Sequence, residues 1–259
     1  MNARPHPRRK ALDRRRRLLA VPRFAQPTDV TCGPTCLLQV YRHYGDAEPF
    51  ERIVSSVQRN ADGGTLAVFL GLSALARGYR ARIYSWNLRI FDPTWTRLTA
   101  GALRNKLRER AGAVTETKLH ESLHAYDDFL REGGEVVFGI DLTPALLMRL
   151  IDRGHPILTG LSATHLYQHV RERPDDNQDD DIRGEPMGHF VVVAGYAKDG
   201  TTFTVRDPQQ DVPFHATGRY AVPAQRLVNA ILLGDSTYDA VLLELWPGGP
   251  LRRRKGKAP

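Results

Sequence analysis

Residues Gln26 to Cys36 read QPTDVTCGPTC, a thiol six residues after a glutamine and directly ahead of Gly33-Pro34. A thiol that attacks a carbonyl must be ionised. A helix that starts at the thiol favours the anion through its unpaired backbone N–H groups and the positive end of its dipole. The residues after Cys32 fit such a helix. Pro34 loses no hydrogen bond in a first turn. Leu37, Leu38, Val40, Tyr41 and Tyr44 then recur at helical spacing until Gly45 supplies a stop. The spacing thus predicts Cys32 at a helix N-terminus, with Gln26 placed ahead of it as an oxyanion donor. Cys36, one turn further along the same face and inside the apolar stripe, reads as a small buried hydrophobe.

A thiolate nucleophile needs a base, and the base needs an orienting acceptor. His189 opens the run GHFVVVAGY, Gly188 to Tyr196, whose β-branched centre predicts a buried strand. A turn at Lys198 to Gly200 and a second strand from Thr201 to Arg206 follow, closing on Asp207-Pro208. If the two strands form a hairpin, the first residue of one lies opposite the last residue of the other, and His189 meets Asp207. Alone, His189 is a polar residue at a strand edge and Asp207 a turn former before proline. Together with Gln26 and Cys32 they supply a nucleophile, a base, an orienter and an oxyanion donor.

On these residues the chain resembles the papain-like cysteine peptidases. Within them it is most similar to the bacteriocin-processing peptidases that remove double-glycine leaders, and to their stand-alone relatives. The matching motifs are Gln26, Cys32-Gly33-Pro34, Tyr44-Gly45, the Gly63-Gly64-Thr65 turn, His189-Phe190-Val191-Val192 and Asp207-Pro208. The resemblance spans most of Phe24 to Trp246. It implies an α+β fold with the nucleophile helix packed on an antiparallel sheet, and the roles already given to Cys32, His189, Asp207 and Gln26. Two departures stand out. Leader peptidases form the N-terminal domain of a membrane exporter, whereas this sequence has no run of eighteen apolar residues to span a bilayer. The stretch between the Gly64 helix and His189 is also longer than a minimal domain requires, which marks residues 87–142 as an insert.

At 259 residues and 41% hydrophobic content the chain can bury a substantial core. Its net charge of +8 looks like a nucleic-acid signal until the charges are located. Residues 1–23 hold nine basic residues and one acid, and residues 252–257 hold five basic residues, which leaves 23 basic against 28 acidic residues in the body. We read 1–23 and 249–259 as basic tails flanking one domain over 24–248. Such tails are solvated, with at most weak contact to nucleic acid or an anionic surface. Leu18 to Val21 is too short for the core of an export signal. Two cysteines at helical spacing form no disulfide framework, and an unpaired catalytic thiol suits a reducing cytoplasm.

Along the body, helices are expected over Phe50 to Gln58, after Thr65 as far as Gly78, within Gly101 to Arg131, from Thr143 to Arg153, and from Pro223 to Leu233. Strands are expected at Tyr79 to Trp86, His155 to Gly160 with Pro156 at its start, and Tyr238 to Trp246. Phe91 and Trp95 read as core cover. Arg171 to Glu185 holds seven acidic residues in fifteen and must be a solvated loop. Because it feeds into His189, it is placed to act as a lid, and a negative lid favours a basic substrate.

The pattern therefore predicts a cysteine peptidase or amidase acting on a peptide or protein through an acyl-thioenzyme. An acyl or peptidyl transferase would use the same groups, since an amine can release the acyl group as water does. A peptide-binding module would have no need of a thiol aligned with a base. Cys32, Cys36 and His189 lack a fourth ligand and the two-residue cysteine spacing of a zinc site. The sequence calls for no cofactor or metal.

Overall fold

The computed structural model describes residues 17–60, 63–234 and 240–249. Among these, one sheet is built from β1 (Arg17–Leu18), β2 (Tyr79–Ser85), β3 (Glu135–Phe138), β4 (Ile157–Ser162), β5 (Gly188–Tyr196), β6 (Thr202–Arg206), β7 (Arg219–Pro223) and β8 (Val241–Pro247). The helices are α1 (Cys32–His43), α2 (Phe50–Ser56), α3 (Ala67–Ala76), α4 (Ala100–Ala113), α5 (Thr117–Arg131), α6 (Pro144–Asp152), α7 (Ala163–Tyr167) and α8 (Ala224–Leu232). The α+β class, with the helix that begins at Cys32 packed on a sheet, is as the sequence predicts.

Strand order is β3-β2-β8-β4-β5-β6-β7. All neighbours are antiparallel except β2 and β3, which run parallel, so the sheet is mixed rather than purely antiparallel. β5 is buried from His189 to Tyr196. A strand apolar on both faces must be covered on both. α1 and α3 touch each other and the sheet, while α6, α7 and α8 form a second group of mutual contacts over β4, β5 and β6.

The hairpin of β5 and β6 forms, but its register differs from the expected one. Near the turn Tyr196 pairs with Phe203, and Gly195 with Thr204. Beyond an irregularity at Ala194, Val193 pairs with Val205 and Val192 with Arg206. Continued by one residue, Asp207 lies opposite Val191 and two residues from His189. This bulge decides the site. Without it Asp207 would oppose Val192 and face away from His189, because a one-residue slip turns every side chain to the other face. With it, His189 and Asp207 share a face as a diagonal pair.

The N-terminal boundary also moves. Arg17–Leu18 pairs with Tyr196 and Gly195, Leu19 and Val21 are buried, and Leu19 N–H donates to the Ala194 carbonyl at 2.8 Å. A Cβ on Gly195 would sit 2.4 Å from the Arg17 carbonyl oxygen, so only glycine lets this segment approach. The folded part thus includes Arg17 to Arg23, which the sequence reading assigned to the tail. The rest of both basic tails, and the expected strand start at Tyr238, lie outside the described residues.

The segment 87–142 builds onto the same sheet. α5 packs against α3 and α4, and β3 adds a parallel edge strand beside β2. Phe91 is buried between Tyr126 and Phe138, with ring centroids 4.9 and 4.8 Å away, as a core aromatic should be. At α6, Thr143 Oγ1 accepts from Leu146 N–H and Pro144 takes the first turn.

Candidate active site

The chain enters α1 through a tight turn in which Thr31 Oγ1 donates to the Thr28 carbonyl at 2.8 Å and accepts from Thr28 N–H. Cys32 is the first helical residue, and the Gly33 N–H of that first turn acts on its thiol. A Cβ on Gly33 would stand 2.7 Å from the Thr65 methyl, which explains why glycine follows the thiol where the Gly64-Thr65 turn packs against it. Cys32 is half-buried and Cys36 fully buried.

Three of the four residues singled out in the sequence come together. His189 and Cys32 lie close enough for each to shift the other's titration. On the other side of the ring, His189 Nε2 lies 2.8 Å from Asp207 Oδ1. Burial pushes the Cys32 thiol up, but the His189 hydrogen bond and charge, with the N–H groups of Phe190 and Gly33, outweigh it and hold the thiol below its ordinary value. Burial pushes His189 down, and the Asp207 carboxylate with the Cys32 sulfur overcomes this, so the imidazole is raised. The two shifts both favour the thiolate and imidazolium forms of the pair.

Asp207 is fully buried and fully occupied. Oδ1 also accepts from Gln209 N–H at 2.9 Å, while Oδ2 accepts from the hydroxyls of Tyr167 at 2.9 Å and Tyr220 at 2.5 Å. Burial pushes Asp207 up, but the His189 charge and hydrogen bond, Tyr220 and the Gln209 N–H hold it below the ordinary carboxylate range. Burial and the Asp207 charge raise both phenols, which keeps them protonated as donors. Tyr167 lies on α7 and Tyr220 on β7, elements the sequence reading did not anticipate.

Gln26 is buried and tied to the loop after Asp207: its N–H donates to the Pro208 carbonyl at 2.7 Å and its carbonyl accepts from Gln210 Nε2 at 2.6 Å. Its side-chain amide is only loosely held. Nε2 reaches the Asp29 carbonyl at 3.5 Å, the limit of a hydrogen bond, and Oε1 is buried without a partner. Asp211 is exposed.

Cys36 is set up for inertness. Its thiol donates to the Phe190 carbonyl at 3.3 Å, and burial with the Cys32 and Asp207 charges pushes it well up. Iodoacetamide at neutral pH should therefore label Cys32 and spare Cys36, as intact and peptide mass spectrometry will show. Because the Cys32 value is depressed, its labelling should stay fast as the pH falls below the ordinary thiol value of about 8.5, and decline only below the depressed value. Preferential labelling of Cys36 would overturn the nucleophile assignment.

A cleft of about 620 Å³ opens beside Cys32 and His189, walled by Gly160 and Leu161 of β4, Thr65 and Leu66 before α3, and the acidic segment before β5. No helix among the described residues is long and apolar enough to cross a membrane.

No curated protein matches the chain. Among solved structures it is similar to a C39-like peptidase from Bacillus anthracis, at 12% identity and a TM-score of 0.47 over 90% of this chain and 99% of that one. It is also similar to a double glycine motif protease from an AMS/PCAT transporter in complex with the leader peptide, at 15% identity and a TM-score of 0.41 over 89% and 94% of the two chains. A third is the peptidase domain of Streptococcus ComA, a bi-functional ABC transporter involved in quorum sensing, at 13% identity and a TM-score of 0.40 over 87% and 97%. The profile of the Peptidase_C39 like family matches residues 18–229, a span that runs from the end of β1 into α8 and takes in Gln26, Cys32, His189 and Asp207. By that match the chain belongs to the Peptidase_C39 like family.

Proposed function

We propose that the protein is a cysteine peptidase that hydrolyses a peptide bond through an acyl-thioenzyme. Family membership supports a cysteine peptidase. The observation that carries the residue assignment is the His189 ring held between Cys32 and a buried Asp207, 2.8 Å from its carboxylate. In this reading the Cys32 thiolate adds to the scissile carbonyl carbon. In this reading the resulting oxyanion is met by backbone N–H at the start of α1 and by the amide of Gln26, whose contact with the Asp29 carbonyl is weak. The C–N bond then breaks as His189 gives its proton to the departing amine, leaving a thioester. His189 next takes a proton from water, whose hydroxyl displaces sulfur to release the acid and restore the pair.

Profiling a peptide library with the wild type beside Cys32→Ala tests this reading. New amine termini that appear only with the wild type are expected. Products joined to an added amine in place of hydrolysis would identify an acyl transferase, and identical profiles for the two proteins would sink both.

A further inference from the structure

The cleft beside Cys32 carries two carboxylates that make no ion pair among the described residues. Asp29, three residues before Cys32, and Glu185, four residues before His189, both line it. Both are exposed, and no ion pair engages either among the described residues. The arginines of the acidic segment are occupied elsewhere. Arg173 pairs with Asp176, Arg183 pairs with Asp180, and Arg171 donates to the Asp181 carbonyl. Backbone bridges from Glu172 to Asp179 and to Glu185 hold the segment as an ordered wall rather than a loose loop. One cation, Lys118 of α5, also lines the cleft, and it has interactions of its own.

Resting on the peptidase reading above, we propose that this cleft selects peptides with a Lys or Arg side chain flanking the scissile bond, recognised by the carboxylates of Asp29 and Glu185. The Cys32 and His189 pair carries no net charge and Asp207 behind it is negative, so the Asp29 and Glu185 carboxylates outnumber the positive Lys118 and the field over the bound peptide is negative. Walls of low polarisability concentrate that field inside the cleft. Glu172 behind the wall adds a further acid: burial first and then the Asp179 charge raise its carboxyl, His169 opposes them, and Asp29 adds the smallest push upward. A basic side chain would relieve this repulsion, and an acidic one would add to it, so selection works against the wrong peptide as well as for the right one.

The test uses peptidyl chloromethyl ketones that alkylate Cys32 with loss of chloride. They are identical except for Arg, norleucine or Glu at either of the two residues nearest the reactive group. Labelling rates are read by intact mass. At low salt the Arg probe should outpace the Glu probe by roughly tenfold or more at one of those positions, in line with two partly exposed ion pairs. The ratio should shrink in 1 M salt, where screening acts within about 3 Å. It should also collapse in the double variant Asp29→Asn, Glu185→Gln, and tilt toward Glu in Glu185→Lys. Equal rates for the three probes, or a ratio that both variants leave intact, would overturn the inference. The two readings fail separately. Ranked labelling without hydrolysis in the library would defeat the peptidase assignment and leave the recognition standing, while hydrolysis without ranking would do the reverse.

Discussion

His189→Ala is expected to slow peptide hydrolysis by on the order of 10⁴- to 10⁶-fold, the scale on which removing one member of a catalytic unit disables it. Cys32→Ala should match it. Neither change should unfold the domain, and circular dichroism with thermal melting checks this. Cys32 sits at the edge of a cleft, and loss of the imidazole leaves Asp207 with three donors, Tyr167, Tyr220 and the Gln209 N–H, so the buried carboxylate is not orphaned. Gln26→Ala should cost less, roughly 10²- to 10³-fold, as for one oxyanion donor among several. Full activity in His189→Ala would remove the proposed base. Of the histidines that would then need attention, His155 is already bound through Nδ1 to Glu244 at 2.7 Å, and His169 lies 3.9 Å from Asp179.

The nucleophile end of the site was legible because its signals are local. A thiol followed by Gly-Pro and a helical apolar stripe predicts Cys32 at the start of α1 without knowledge of any distant residue. The strand GHFVVVAGY was legible because a run as continuously apolar as Phe190 to Ala194 suits a strand covered on both faces. The support of Asp207 was not. Tyr167 and Tyr220 lie 40 and 13 residues from it in sequence, and only the closed sheet brings their hydroxyls to one carboxylate oxygen. β7 left a readable trace, since RYAVP alternates exposed and buried positions as an edge strand should. β3 left almost none, being four residues long and half-exposed. The register error has a clear cause. A lone glycine inside a strand pattern signals a bulge, and Gly195, beside the register shift, was such a signal. Likewise Leu19 and Val21 alternate into the core, a period too short to stand out beside four arginines.

The choice of acid is the sharpest point at which the site can fail. Asp207→Asn keeps an acceptor for His189 and nearly the same volume, and the hydroxyls of Tyr167 and Tyr220 can rotate to accept from the new amide. The fold should therefore survive. What it loses is the negative charge that raises His189, so the imidazole falls toward its ordinary value and the Cys32 thiol rises, and less of the protein holds the reactive pair at neutral pH. The expected result is a rate loss of up to about 10⁴-fold, with the acidic limb of the pH–rate profile moved to higher pH and little change in substrate affinity. Asp207→Ala should lose activity as severely and also melt lower, since four donors would lose their acceptor in a buried place, at roughly 1–3 kcal/mol for each group left unpaired. Asp211→Ala, on the same loop but exposed, should leave both rate and stability within the scatter of surface changes, about 0.5 kcal/mol. Single-turnover rates for the three variants separate these outcomes. A larger defect in Asp211→Ala than in Asp207→Ala would mean that the diagonal pairing produced by the bulge in β5 does not orient the base.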